Sequence, residues 1–162
     1  MTISDAASPL STFGLQTTTA RQGTAVLPGI PGVENSIEFR LGPGYAPAQS
    51  IRRARGFAIM MLPTLLAGAP NANVVEEVVL TVLTELVDVT ARHRASIDLS
   101  GRISHDGDHV LITIGEMDQP LPDPEEEPGL FLVRRLTDEI GQYRGDEAGH
   151  VTWVSVPVRS KE

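Results

Sequence analysis

From residue 73 to residue 93 the sequence NVVEEVVLTVLTELVDVTARH places Val75, Val78, Val79, Val82, Leu86 and Val89 at three- and four-residue intervals. That spacing predicts an amphipathic helix with one apolar stripe, and Asn73 offers an N-cap oxygen at its start. Glu76, Glu77, Thr84, Glu85, Asp88 and Arg92 fall off the stripe or on its margin. Upstream, Pro47 suits a first helical turn, and Ile51, Ala54, Ala58, Met61 and Leu65 repeat with the same period. A second helix is expected there, kinked or ended by Pro63, which has no amide proton to donate. Arg52, Arg53 and Arg55 face away from its stripe and read as a solvated face or a partner contact.

Elsewhere the period drops to two. IEFRL, residues 37 to 41, alternates apolar and polar and predicts a strand closed by the turn-rich GPGYAP. SIDLSGRI and VLITIG flank HDGDH, two alternating runs across an Asp-Gly turn, which predicts a β-hairpin. Its Ile97, Leu99, Ile112 and Ile114 are expected to face the helices. MDQPLPDPEEEP reads as a loop, GLFLVRRLTDEIG as a short helix ended by Gly141, and HVTWVSVPV as a final strand with Val151 and Trp153 in the core. The order strand, helix, helix, hairpin, loop, helix, strand predicts an α+β fold. The expected architecture is a two-layer α/β sandwich, with helices packed on one face of a mixed, mainly antiparallel sheet.

Residues 1 to 35 break this pattern. They carry three charges, Asp5, Arg21 and Glu34, while Ser, Thr, Gly and Pro fill nearly half the positions. So little apolar area cannot offset ordering entropy, so a flexible arm is expected over 1–35, a domain over 36–158 and a short tail over 159–162.

Composition then removes whole classes of function. With no cysteine there is no disulfide, thiol nucleophile or cysteine-held zinc or iron-sulfur site. Lys161 is the only lysine, which excludes a P-loop. A net charge of −8 repels nucleic acid and anionic lipid, so neither is an expected partner. MTISDAASPLSTFGLQ has no basic run followed by an apolar core, and no apolar stretch is long enough to span a bilayer, so a cytoplasmic location is expected.

At ELVDVTARH, residues 85 to 93, and GLFLVRRL, residues 129 to 136, the sequence resembles the GHKL (histidine-kinase-like) ATPase fold, in particular bacterial anti-sigma-factor serine kinases. The resemblance covers residues 36 to 158 and implies a Bergerat-type sandwich. In that family a helix carries a pattern like E-L-V-x-N-A-x-x-H, a strand ends in an Asp motif, a variable lid follows, and Gly-Leu opens the next helix. The Glu orients or deprotonates the attacking group, the Asn supplies an oxygen to Mg²⁺, and the Asp accepts the adenine amine. Gly-Leu sets backbone amides and a helix dipole beside the phosphates. By this resemblance Glu85 matches the family Glu, Gly129 and Leu130 match the Gly-Leu pair, and Arg92 with His93 ends the helix motif.

Two departures matter. The Asn position is Val89, whose side chain has no oxygen for a hard cation. The Asp position reads as Glu116, or as Asp118 if the alignment slips by two. In addition, from Ile103 to Val133 there is no Lys or Arg but eight carboxylates, among them Asp123, Glu125, Glu126 and Glu127. Such a lid repels phosphates, though salt screens this beyond about 8 to 10 Å. The three successive glutamates read as a solubilising loop or a surface for a basic partner. Asp106, Asp108 and His109 could suggest a metal, but an Asp-Gly turn accounts for them, and no metal is expected.

The resulting expectation is a regulatory protein that acts by protein binding, its partner of the sigma-factor or anti-anti-sigma-factor type, with a degenerate nucleotide site and no bound cofactor. The alternative is an active serine/threonine kinase that takes ATP and Mg, with Glu85 catalytic and Glu116 or Asp118 reading adenine. A homodimer is a further possibility.

Overall fold

The computed structural model describes residues 35–158 other than 43 and 147. The expected arm, apart from Asn35, and the tail therefore lie outside the described residues. Five strands and three helices follow in the order β1 (Asn35–Leu41), α1 (Pro47–Leu65), α2 (Ala72–Arg92), β2 (Leu99–His105), β3 (His109–Met117), α3 (Gly129–Leu136), β4 (Glu139–Arg144) and β5 (His150–Pro157). The strands form one sheet in the order β1-β2-β3-β5-β4, every pair antiparallel, and the helices cover one face. The α+β two-layer sandwich is as the periodicities imply. The sheet is wholly antiparallel rather than mixed.

Strand alternation fixes which side chains meet the helices. Ile37, Phe39 and Leu41 of β1, Leu99 and Ile103 of β2, Val110, Ile112 and Ile114 of β3, and Val154 and Val156 of β5 point into the same core. Against them α2 buries Val75, Val79, Val82, Leu83, Leu86, Val87 and Ala91, and α1 buries Ala54, Ala58, Leu62 and Leu65. Each fully buried Val, Leu or Ile contributes on the order of 1.5–3 kcal/mol of transfer free energy. Where β2 crosses under Phe39, only glycine fits: a Cβ on Gly101 would fall 2.4 Å from the Phe39 ring.

Several local expectations are corrected. The N-cap of α2 is Asn71, not Asn73, in the left-handed conformation that asparagine tolerates, with φ of 56°. Pro63 lies inside α1, which runs two residues past it to Leu65. Ile97 is 73% exposed, because the ladder begins only at Leu99. Arg55 is not on a solvated face; its guanidinium donates to Thr84 Oγ1 on α2 at 3.1 Å and ties the two helices together.

The largest difference is β4. Helix α3 stops at Leu136, Thr137 is extended, and Glu139–Arg144 pairs with β5. Gly141 is therefore not a helix cap. It lies opposite Trp153, whose ring covers it so closely that a Cβ there would fall 2.7 Å from a ring carbon. Trp153 does share a face with Val151, but that face is the one turned away from the helices, and the indole is half-buried there rather than in the core.

Candidate functional site

Glu85, Asp88 and Arg92 follow one another along the exposed margin of α2, at spacings of three and four residues. Arg92 donates from Nη2 to Asp88 Oδ2 at 3.1 Å within the helix. Across the gap it grips Glu127 with both nitrogens, Nη1 to Oε2 at 2.9 Å and Nη2 to Oε1. A two-pronged guanidinium–carboxylate pair of this kind is both strong and directional. His93, the C-cap of α2, brings Nε2 to 4.0 Å from the same carboxylate.

Glu127 belongs to the acidic loop between β3 and α3, so the pair fastens the loop's end to α2. Gln142 fastens its beginning: Oε1 accepts the Leu121 amide at 2.9 Å, while Nε2 donates to Thr152 Oγ1 at 3.0 Å and to Met117 Sδ at 3.6 Å. The acidic loop is thus pinned at both ends, by β4 and by α2. Its final turn runs straight into α3, where the Leu130 amide donates to the Glu127 carbonyl and the Phe131 amide to that of Pro128.

Glu85 faces this junction. Its carboxylate lies hard against the backbone of Gly129, so that a Cβ on that glycine would sit 1.9 Å from Oε1. Burial pushes the Glu85 carboxyl above the usual carboxylate range, Asp88 adds to the rise, Arg92 opposes it and Glu127 raises it slightly further. Glu127 moves the other way: the hydrogen bond from Arg92 holds its carboxyl low against the opposing effect of burial. Arg92 is stabilised as a cation by hydrogen bonds to Glu127 and then Asp88.

Of the residues singled out by sequence, Glu85 and Gly129 are brought into direct contact. Leu130 is buried in the core beside them, its amide already used. Val89 is also buried, 1% exposed, and presents only methyl groups where the resemblance asks for a metal-binding amide. Glu116 is engaged elsewhere. Its Oε1 accepts the Gly149 amide at 2.8 Å, and its carboxylate packs against Gly145 and Gly149 in the turn between β4 and β5. The side chain of Asp118 is exposed, and its amide donates to the His93 carbonyl at 2.7 Å.

Asp106 is explained by its turn, since Oδ1 takes the amides of Asp108 and His109, both at 2.9 Å. Two hollows of about 490 and 460 Å³ lie on the sheet face away from the helices, the first beside the His109–Asp138 pair and the second beside Trp153 and Tyr143.

Sequence reasoning missed Gln142 because it missed β4, and it read Glu127 only as part of a charge run. The Asp88–Arg92 spacing was a usable signal, whereas Glu127 comes from 35 residues away. Among the described residues no helix is long and apolar enough to cross a membrane. No family model matches this chain, and no curated protein matches it either.

Proposed function

We propose that this chain is a regulatory protein resembling anti-sigma factors of the histidine-kinase-like ATPase type, acting in the cytoplasm by binding a protein partner. In this reading its nucleotide site has decayed. The observation that carries the proposal is the Arg92–Glu127 pair. A lid that serves a nucleotide must close over phosphates; here the loop is closed onto α2 by a carboxylate that takes up both prongs of the nearby guanidinium. Val89 supports the same reading, because a triphosphate without its bridging cation leaves charge uncompensated in a partly dry cleft. The partner is of the sigma-factor or anti-anti-sigma-factor type. Calorimetric titration of the full chain with Mg-ATP tests the proposal: no heat of binding is expected, and micromolar, magnesium-dependent binding overturns it.

A second reading, an active ATP-dependent serine/threonine kinase, is favoured by Glu85 itself. A half-buried carboxyl with a raised pKa, set against the glycine that opens α3, has the character of a general base. That reading requires transfer of labelled phosphate from ATP to a candidate anti-anti-sigma partner, abolished by Glu85→Ala. Absence of transfer to every such partner removes it.

A further inference from the structure

The sheet face turned away from the helices is mostly polar, with Ser36, Glu38, Ser100, Arg102, Ser104 and Ser155 on it, but it carries three large apolar side chains in a line. Leu111 is 37% exposed and Tyr143 53%, and Trp153 stands between them. Three atoms of the indole lie within 3.0 Å of where a Cβ on Gly141 would be, so the ring lies flat on β4 and turns its other side outward. Leu111 is in register with Ser155, and Trp153 with Gly141. Each member of the line is thus one strand over and two residues along from the last, a step of about 8 Å.

The chain just before β1 has a matching period. LPGIPGV, residues 27 to 33, is an apolar-Pro-Gly triplet written twice and closed by valine, with no charge in it. Leu27 and Ile30 each precede a proline, which favours extended, polyproline-type backbone. Such a segment has three residues per turn and advances about 9 Å in each, so Leu27, Ile30 and Val33 share one side at nearly the step of the diagonal. Flat aromatic surfaces are what proline-rich segments dock against.

The connection is short enough. Asn35 is in register with His105, and His105 with Val110, so Asn35 is two strands and one residue from Leu111, about 10 Å. Val33, two residues upstream, closes that distance with its side chain. Docking is then intramolecular, and the tether supplies a high effective concentration.

We propose that residues 27–33 form a strap across the open sheet face, with Val33 on Leu111, Ile30 on Trp153 and Leu27 on Tyr143. This inference is independent of any nucleotide or regulatory role.

Two measurements on the full chain test it. Trp153 is the only tryptophan, and Ile30→Asp changes no residue of the packed domain. That variant is expected to shift Trp153 emission to the red and raise its quenching by acrylamide, while Ile30→Leu leaves both unchanged. The chain has no cysteine, so Ala25→Cys gives a single site for a nitroxide. The label is expected to broaden the amide signals of Tyr143 and its neighbours on β4 and β5, to spare α1 and α2, and to lose the effect when Ile30→Asp is added. Trp153 emission indifferent to Ile30→Asp overturns the proposal. So does broadening that is absent, spread equally over both faces, or retained with Ile30→Asp. Broadening that passes from spin-labelled copies to isotope-labelled ones in a mixture shows the occupant to be another copy's segment, and overturns the intramolecular strap.

Discussion

Helix α2 makes two junctions of opposite character. Toward the sheet it presents Val79, Val82, Leu83 and Leu86, all fully buried against Ile103, Ile112 and Ile114. Toward the acidic loop and α3 it presents Glu85, Asp88 and Arg92, which meet Glu127 and Gly129. The first junction is non-directional and carries no titrating or charged group; the second depends on geometry, charge state and ionic strength. One helix therefore joins a core held by apolar burial to a loop end held by polar contacts. Local opening is expected to begin at the loop's Glu125–Glu127 end, whose fastening is polar and near the surface, while Leu121 at its other end packs against the core.

Breaking the apolar junction has the largest effect. Ile112→Ala is expected to cost about 2–5 kcal/mol, from lost transfer energy and the cavity left behind. Urea unfolding should show the midpoint fall with little change in slope, since the whole domain loses stability together.

Val89→Asn comes next and sharpens the boundary between the junctions. Burying an amide with no assured partner is expected to cost about 1–3 kcal/mol by thermal or urea unfolding. The same variant bears on function. If the rest of the cleft survives, magnesium-dependent nucleotide affinity rises in calorimetry; if the Arg92–Glu127 closure alone is enough to exclude phosphates, it does not.

Arg92→Ala acts on the polar junction and is expected to cost about 1 kcal/mol or less of global stability, as exposed ion-pair networks do. Its signature is local: amide exchange across the acidic loop, around Glu126 and Glu127, accelerates, while exchange in β2 and β3 does not. Raising salt in the unchanged protein should produce a weaker version of the same pattern. Equal acceleration throughout the domain would show that the two junctions are not energetically separate.

Much of this contrast was legible in the chain, and the part that was not has a physical cause. Val75, Val79, Val82 and Leu86 announced the apolar junction because a helix writes its buried face at a fixed local period. The hairpin was legible because Asp106 and Gly107 state their turn chemistry within a few residues. Strand β4 was not, since Leu136, Ile140 and Gly141 fit a helix ending in glycine as readily as a strand; the decision rests on pairing with β5 and on the Trp153 ring that replaces a side chain at Gly141. The polar junction was half legible. Asp88 and Arg92 sit one helical turn apart in sequence, and the family resemblance linked Glu85 to Gly129, but no local rule selects Glu127 from three successive glutamates. Glu116 shows the same limit in reverse, for its residue type suits a binding site while the β4–β5 turn claims its carboxylate.

The smallest expected effect is also the one that separates the two carboxylates of the polar junction. The folded-state pKa of Glu85 is raised, so its contribution to stability is full below the unfolded value, about 4.3, and is lost as pH rises through the higher folded value. Glu127 is lowered, so its contribution is present above about 4.3 and is lost as pH falls through the lower folded value. On acidification from neutrality the protonation of Glu85 therefore favours the fold first, and only at lower pH does the Arg92–Glu127 pair fail. Glu85→Gln should remove the first phase from a stability–pH curve measured by urea unfolding and leave the second. Glu127→Gln should remove the second, and with the Glu127 charge gone the Glu85 carboxyl should titrate at a slightly lower pH by NMR. If Glu127→Gln instead shifts Glu85 upward, the Glu127 charge is not among the influences that raise that carboxyl, and the polar junction is arranged differently from the description above.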